Sequence, residues 1–191
     1  VWQQDSSRIT GANHLLVPGN GQSDLANNRL CVLKSTPTEH PALLLDFGKE
    51  LQGGLQLVTG MPPSHDPVSV RVRFGESVSE AMCEIDGANG ASNDHAMRDF
   101  VVSLPWLGVQ EIGNSGFRFV RIDVLGDSTE LQLKEVRAIS TFRDIPYLGS
   151  FRCNDERLNR IWKTGAYTVH LNMQEYLWDG VKRDRLVWVG D

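Results

Sequence analysis

The last fourteen residues, Trp178–Asp191 (WDGVKRDRLVWVGD), hold the side chains best suited to chemistry: three aspartates, three basic residues and two tryptophans. The aspartates are Asp179, Asp184 and Asp191. At about 100° per residue a helix would point them in three different directions, and a strand would divide them between its two faces. A structured loop can gather the three carboxylates, and we expect the two glycines of the segment to provide its bends.

Carboxylates and an aromatic ring in one loop suit the recognition of a sugar. Carboxylate oxygens accept hydrogen bonds from hydroxyl groups, and a tryptophan face packs on the apolar side of a sugar ring. A carboxyl that burial or like-charged neighbours keep protonated can act as a general acid, and glycoside hydrolysis needs such an acid together with a second carboxyl. The composition alone leaves an alternative open, in which the charges form solvated surface ion pairs and Trp178 and Trp188 belong to a core.

Two stretches near the C-terminal end carry a resemblance to a known family. GSFRCNDERLNRIW and NMQEYLWDGVKRDRLVWVGD resemble the start of the catalytic domain of bacterial α-L-rhamnosidases, an inverting family with an (α/α)6 barrel. Asp179–Asp191 matches the pattern D-G-x-K-R-D/E-x-x-x-W-x-G-D of that family throughout. Upstream, LLLDFGKELQGGLQL and VSVRVRFGES resemble the β-sandwich that precedes the barrel, so the resemblance covers roughly residues 40–191.

The resemblance implies roles for individual residues. Asp184 occupies the place of the proposed general acid. Some members have RDER where this chain has RDR, that is, a neighbouring Glu and one extra residue in the loop, so this chain has the shorter acid. Asp179 and Asp191 match carboxylates that bind rhamnose hydroxyls, Arg183 would hold those carboxylates in register, and Trp188 would line the sugar site. The general base of the family is a Glu far downstream, which we assign to no residue of this chain. The resemblance implies no cofactor.

The elements that must position this loop are predicted from hydrophobic patterning. In Val68–Phe74 the apolar residues alternate with polar ones, as in a strand of a sheet with one solvated face. Further strands are predicted at Leu30–Lys34, Ala42–Phe47, Leu55–Thr59, Phe100–Leu104, Phe117–Leu125 and Leu131–Ile139. In the last of these the apolar residues change faces, which predicts a β-bulge near Lys134–Glu135. Short strands separated by Gly- and Pro-rich turns indicate a mainly β fold, an antiparallel, jelly-roll-like β-sandwich, over residues 1–145.

Two segments depart from this pattern. Ser79–Arg98 has weak periodicity and many small or polar residues, which predicts a long surface loop. After Pro146 the chain becomes helical, with Asn154 as the predicted N-cap. Apolar residues then recur at steps of three and four: Leu158, Ile161, Trp162, Gly165, Ala166, Val169 and Met173. Because one amphipathic helix needs a partner, we expect residues 146–191 to be an incomplete part, the first helices, of the (α/α)6 catalytic domain.

Composition excludes several other classes of protein. The 191 residues carry a net charge of −5, so the basic surface of a nucleic-acid-binding protein is absent. We expect no membrane span, and the N-terminus shows no signal peptide, which leaves the cytoplasm and the periplasm both open. The five histidines are isolated in sequence and the three cysteines are widely spaced, so no metal site is expected. Glu76, at the end of a strand, is expected to make a structural hydrogen bond.

Two functions from different classes follow. The first is the N-terminal portion of a glycosidase that removes terminal α-L-rhamnosyl groups with inversion, inactive as the 191-residue chain alone. The second is a module without catalysis, either a carbohydrate-binding sandwich with Trp2 or Trp106 as its platform or a structural brace for the barrel. The expected partner is a rhamnose-containing glycoside or oligosaccharide, and the sequence leaves a homodimer open.

Overall fold

The computed structural model describes residues 1–23, 25, 29–85, 92–93, 97–182 and 184–190. Within them lie eight strands and two α-helices: β1 Trp2–Gln4, β2 Ile9–Thr10, β3 Cys31–Lys34, β4 Ala42–Thr59, β5 Val68–Gly75, α1 Val78–Met82, β6 Asp99–Leu104, β7 Val109–Val124, β8 Glu130–Ser140 and α2 Glu156–Asn172. No described helix has the length and apolar character that a membrane crossing requires.

The two longest strands, β4 and β7, organise the sheet. They pair antiparallel over three stretches, with irregular segments between Asp46 and Leu51 and between Gly53 and Leu55. The first half of β4 lies beside β1, and its second half lies beside β8. The strand order is β2-β3-β8-β4-β7-β5-β6, so one sheet folds over on itself through β4 and β7. This arrangement confirms the predicted antiparallel β-sandwich.

The core lies between the two halves of the folded sheet. Leu43, Leu55, Val70 and Phe117 are fully buried, and in β5 the buried Val68, Val70 and Val72 alternate with less buried residues. The Phe74 and Phe117 rings meet edge to face, with centroids 4.9 Å apart. The backbone of Gly113 has a positive φ of 79°, and a Cβ there would lie 2.8 Å from Phe74, so both conformation and space require glycine.

The structure confirms the predicted bulge and revises the strand boundaries. Val58 pairs with Glu135 and Thr59 with Leu133, so Lys134 is the extra residue of β8. The two strands predicted at Ala42–Phe47 and Leu55–Thr59 are parts of one strand, β4. The chain bends between them without ending the strand, because Gly48 and Gly53 adopt positive φ values that other residues rarely reach.

The predicted loop at Ser79–Arg98 is wrong at its start, where α1 forms. Ser77 caps this helix, because its hydroxyl accepts a hydrogen bond from the backbone N–H of Glu80 at 3.2 Å. The Glu80 carboxylate in turn accepts from the N–H of Glu76 at 2.8 Å. The sequence Ser-Val-Ser-Glu has the spacing of a capping box, although the Glu80 carboxylate bonds to the N–H of the residue before the cap. The polar composition of the segment concealed this signal. Residues 86–91 and 94–96 of the predicted loop lie outside the described residues.

The helix predicted after Pro146 is α2, but its N-cap is Asp155 and not Asn154. Asp155 is the residue with extended backbone at this end, and its carboxylate accepts from the N–H groups of Arg157 and Leu158 at 2.8 and 3.4 Å. On the predicted apolar face, Ile161 and Val169 are 60% and 54% exposed. The division into domains at residue 146 stays a prediction.

The core makes a first prediction. Replacing Phe117 by Ala removes a fully buried ring that contacts Phe74, and we expect a loss of about 3–5 kcal/mol in the free energy of unfolding. Denaturant-induced unfolding of the protein measures this loss. Phe119 in the same strand is only partly buried, so Phe119→Ala serves as the matched control with a smaller loss. Equal losses for the two variants would contradict the position of the core.

Candidate functional site

The segment after α2 turns back towards the β-sandwich. Gln174, a buried residue, directs this turn, because its side-chain amide donates to the carbonyl oxygens of Leu171 at 2.8 Å and Thr141 at 3.3 Å. The N–H of Trp178 then donates to the carbonyl of Asn172 at 2.9 Å. The chain beyond Trp178 consequently starts from a point fixed to both the helix and the end of the last strand.

Asp179 closes the loop that we call the motif loop, residues 179–188. Its backbone N–H donates to the carbonyl of Leu186 at 3.0 Å, and its carboxylate accepts from the N–H of Leu186 at 3.2 Å. The other carboxylate oxygen accepts from the indole N–H of Trp188 at 3.3 Å. The structure therefore brings together two of the predicted site residues, Asp179 and Trp188. The hydrogen bond fixes the orientation of the Trp188 ring, which is 54% exposed.

Asp184 lies inside the motif loop and is half-buried. The residue after it, Arg185, has a positive φ of 55°, which is uncommon for a residue other than glycine. Of the two glycines expected to provide the bends, Gly190 lies in a turn. Arg183 and Asp191 lie outside the described residues. The convergence of the three aspartates on one sugar therefore stays a prediction.

The opposite side of the motif loop rests on the β-sandwich. Val181 is only 7% exposed and packs against Gly116 of β7, where any Cβ would clash with its side chain. Arg185 donates to the carbonyl of Asn114, also in β7, and to the carbonyl of Val181 at 3.2 Å. Its guanidinium lies over the Trp178 ring, 5.1 Å from the centroid. Two motif-loop side chains are thus anchored on one strand.

Lys182 provides a third anchor through an ionic contact. Its ammonium group lies 3.3 Å from the Glu76 carboxylate and contacts the Glu80 carboxylate directly. Burial alone would lower the pKa of Lys182, but the hydrogen bonds and negative charges of Glu80 and Glu76 raise it above its usual value. The Glu76 carboxylate therefore makes an ion pair with the motif loop, while the backbone N–H of Glu76 donates a structural hydrogen bond to Glu80.

A third carboxyl, that of Glu50, lies near the contact of Lys182 with Glu76 and Glu80. Burial is the largest cause that raises its pKa, to about 8, and the negative charges of Glu76 and Glu80 add to the effect while Lys182 and Arg118 oppose it. One of its carboxyl oxygens is buried without a hydrogen-bond partner. Its backbone carbonyl accepts from the Tyr167 hydroxyl at 2.6 Å, which ties α2 to the bend of β4.

The aromatic residues of the alternative, carbohydrate-binding hypothesis are placed less favourably. The Trp106 ring stacks on His65, with centroids 4.6 Å apart, and its indole N–H donates to the carbonyl of Pro62 at 3.1 Å. One face of that ring is therefore covered. Trp2 is 45% exposed and the Arg121 guanidinium lies 5.8 Å from its ring centroid. Among the described residues no cluster of His, Cys, Asp or Glu has the geometry of a metal site.

Comparison with known proteins confirms the resemblance seen in the sequence. Residues 146–191 match the family model described as the bacterial alpha-L-rhamnosidase 6 hairpin glycosidase domain. The matched segment contains α2 and the whole motif loop. A search of curated proteins finds no match.

Solved structures share the fold. A rhamnosidase from Klebsiella oxytoca with rhamnose bound is 22% identical over 82% of this chain, with a TM-score of 0.68. A GH78 family rhamnosidase of Bacillus sp. GL1 is also 22% identical, over 94% of this chain, with a TM-score of 0.69. This chain spans only 31% and 17%, respectively, of those two proteins. The similarity establishes a common architecture for the sandwich and the segment that follows it.

The raised pKa of Glu50 makes a prediction about stability. Its folded-state pKa of about 8 exceeds the value of 4.5 of a free glutamate, so the folded state binds the extra proton and loses stability as the pH rises from 4.5 through 8. Each pKa unit corresponds to about 1.4 kcal/mol, which solvent screening reduces because Glu50 is only partly buried. We expect Glu50→Gln to stabilise the protein by about 1–2 kcal/mol above pH ~8 and to have little effect near pH ~4.

Thermal unfolding across this pH range measures the effect, at about 2–4 °C for each kcal/mol. Glu111→Gln, which removes one negative charge from an exposed position of the same sandwich, is the matched control. A stability difference between Glu50→Gln and the unchanged protein that does not vary with pH would show that Glu50 titrates as a free carboxyl.

Proposed function

We propose that this chain is the N-terminal portion of an α-L-rhamnosidase that hydrolyses terminal α-L-rhamnosyl groups with inversion of configuration. The match of residues 146–191 to the glycosidase family model carries the proposal. The fold shared with two rhamnosidases supports it, and one of those proteins has rhamnose bound. The proposed partner is accordingly a rhamnose-containing glycoside or oligosaccharide.

Asp184 is the general acid in this proposal. It donates a proton to the glycosidic oxygen as the bond to the anomeric carbon breaks, so the leaving group departs as a neutral alcohol. A glutamate outside these 191 residues removes a proton from the water that attacks the opposite face of the sugar ring. In an inverting enzyme the two carboxyls stand roughly 6.5–9.5 Å apart, which leaves room for that water.

The other motif residues bind the sugar. The exposed ring of Trp188, held by its hydrogen bond to Asp179, offers a rigid face for the apolar side of rhamnose. Each oxygen of the Asp179 carboxylate accepts one described hydrogen bond and keeps a lone pair for a sugar hydroxyl. Asp191 binds a further hydroxyl, and Arg183 holds the carboxylates in register.

The first test of the proposal changes the acid in the full-length protein. Asp184→Asn keeps the size of the side chain but cannot supply the proton, so we expect kcat to fall about 10²–10⁴-fold on an alkyl α-L-rhamnoside. On an aryl rhamnoside with an acidic phenol as leaving group the loss is smaller, because that group departs without protonation. Proton NMR of the first-formed sugar reports the inversion.

Asp127→Asn, at an exposed turn of the sandwich, is the matched control and should retain full activity. Wild-type turnover by Asp184→Asn would remove Asp184 as the acid. A full-length protein that is inactive on every α-L-rhamnoside, alkyl or aryl, would refute the proposed function itself.

The isolated chain of 191 residues provides a second test. We expect no turnover of aryl α-L-rhamnosides, because the general base and most of the sugar pocket are supplied by other residues. Calorimetric titration with rhamnose separates this proposal from the carbohydrate-binding module. Saturable binding that Trp106→Ala abolishes and Asp184→Ala preserves would support the module, and turnover by the isolated chain would contradict the assignment of the base.

A further inference from the structure

The ion pair between the motif loop and the sandwich is built into the fold on the sandwich side. Glu80 lies in the first turn of α1, where one of its oxygens accepts from the backbone N–H of Glu76 at 2.8 Å. Its other oxygen contacts Lys182 and lies 3.3 Å from the guanidinium Nε of Arg98, a residue that is almost completely buried. The Glu80 carboxylate is therefore fixed before Lys182 reaches it, and its side chain loses little further freedom in the contact.

The negative charges where the motif loop meets the β-sandwich favour a bound Lys182 ammonium group. The negative charges of Glu76 and Glu80 act on the Glu50 carboxyl and help to raise its pKa. Lys182 contacts Glu76 and Glu80 and acts electrostatically on Glu50. Without the Lys182 ammonium group, the Glu76 carboxylate would lose this ion pair, and the Glu80 carboxylate would keep its contacts with Arg98 and the backbone N–H of Glu76. Removing one partner of a partly buried ion pair costs more than the pair itself contributes.

The anchors on the sandwich lie on both sides of Asp184. Val181 and Lys182 hold the chain before it, and Arg185, bonded to the carbonyl of Asn114, holds the chain directly after it. Only two residues, at positions 183 and 184, lie between the last anchor before Asp184 and the first one after it. Because consecutive Cα atoms are about 3.8 Å apart, Asp184 lies close along the chain to an anchored residue on either side.

We propose that Lys182 is a positioning residue, and that the acidic pair Glu76 and Glu80 of the sandwich holds it so that Asp184 meets the glycosidic oxygen. The inference rests on the proposed function, because Lys182 affects the reaction only by positioning Asp184, the proposed general acid. It gives the sandwich a part in the reaction beyond that of a brace. Arg185 and Val181 assist by fixing the same loop to β7.

The experiment compares two substrates in the full-length protein. A misplaced general acid slows the departure of a poor leaving group far more than that of a good one, whereas general damage to the fold lowers both rates alike. For Lys182→Met we expect kcat on an alkyl α-L-rhamnoside to fall about 10–10²-fold, the size expected from a displacement of the acid of about 1 Å. On an aryl rhamnoside with an acidic phenol we expect a change of less than about threefold, with KM little altered.

The comparison includes three further variants. Lys182→Arg should restore most of the lost rate, because the guanidinium can also reach the two carboxylates. Glu76→Gln, which leaves α1 and its cap in place, should show a weaker form of the same leaving-group dependence. Lys34→Met removes an ion pair of the same kind, to Glu130 at 2.9 Å on another part of the sandwich, and should leave both rates unchanged.

The outcomes separate the inference from the function on which it rests. Inactivity of the unmodified full-length protein on every α-L-rhamnoside overturns the proposed function. An active unmodified protein in which Lys182→Met lowers both rates equally, or neither, overturns the positioning role alone. If Lys182→Met does not fold, Glu76→Gln decides by the same ratio of rates.

Discussion

The attachment of the motif loop to the β-sandwich is the constraint on which the geometry of the candidate site depends. Val181 fills a space that exists only because residue 116 is a glycine, and Lys182 and Arg185 extend to groups that the sandwich has already fixed. The apolar contact excludes water from the surface beneath the loop, which strengthens the neighbouring ionic contact. The position of Asp184 thus follows from the architecture of a sheet that precedes it in the chain.

The bends of the two longest strands place these attachment points at one edge of the sandwich. Glu50 stands at the irregular segment of β4, and Asn114 and Gly116 lie where β7 changes from one half of the sheet to the other. Strands that cross between layers expose backbone carbonyls that the regular ladder would have used. The carbonyl of Glu50 accepts from Tyr167 of α2, and that of Asn114 accepts from Arg185 of the motif loop. The bends that fold the sheet therefore also provide carbonyl oxygens that accept hydrogen bonds from α2 and the motif loop.

Local patterns predicted much of the fold. Alternation identified β5 and β8, and the change of faces in β8 located its bulge at Lys134. The N-cap was wrong by one position because Asn154 and Asp155 are adjacent and both are good capping residues, and only the hydrogen bonds of the Asp155 carboxylate identify the cap. The helix α1 was missed because its N-cap signal, Ser77 followed three residues later by Glu80, lies in a polar segment. The partners of the motif loop were out of reach, because Glu76 precedes Lys182 by 106 positions and Asn114 precedes Arg185 by 71, and no periodicity encodes such contacts.

The motif loop meets two requirements, binding of the proposed sugar and attachment to the β-sandwich, and its sequence does not show which residues serve which requirement. A sugar-binding interpretation of the pattern assigns its acids and its tryptophan to the substrate but gives no purpose to the variable position at Val181 or to the lysine after it. The structure provides that purpose, since both side chains face the sandwich, while the Asp179 carboxylate closes the loop on Leu186 and Trp188. A general acid must be held within about 0.5 Å of its productive position, and a site on a loop is less precise than one on a helix or strand unless surrounding contacts support it. The residues on either side of Asp184 that hold the motif loop on the β-sandwich therefore belong to the proposed chemistry together with the carboxyl that performs it.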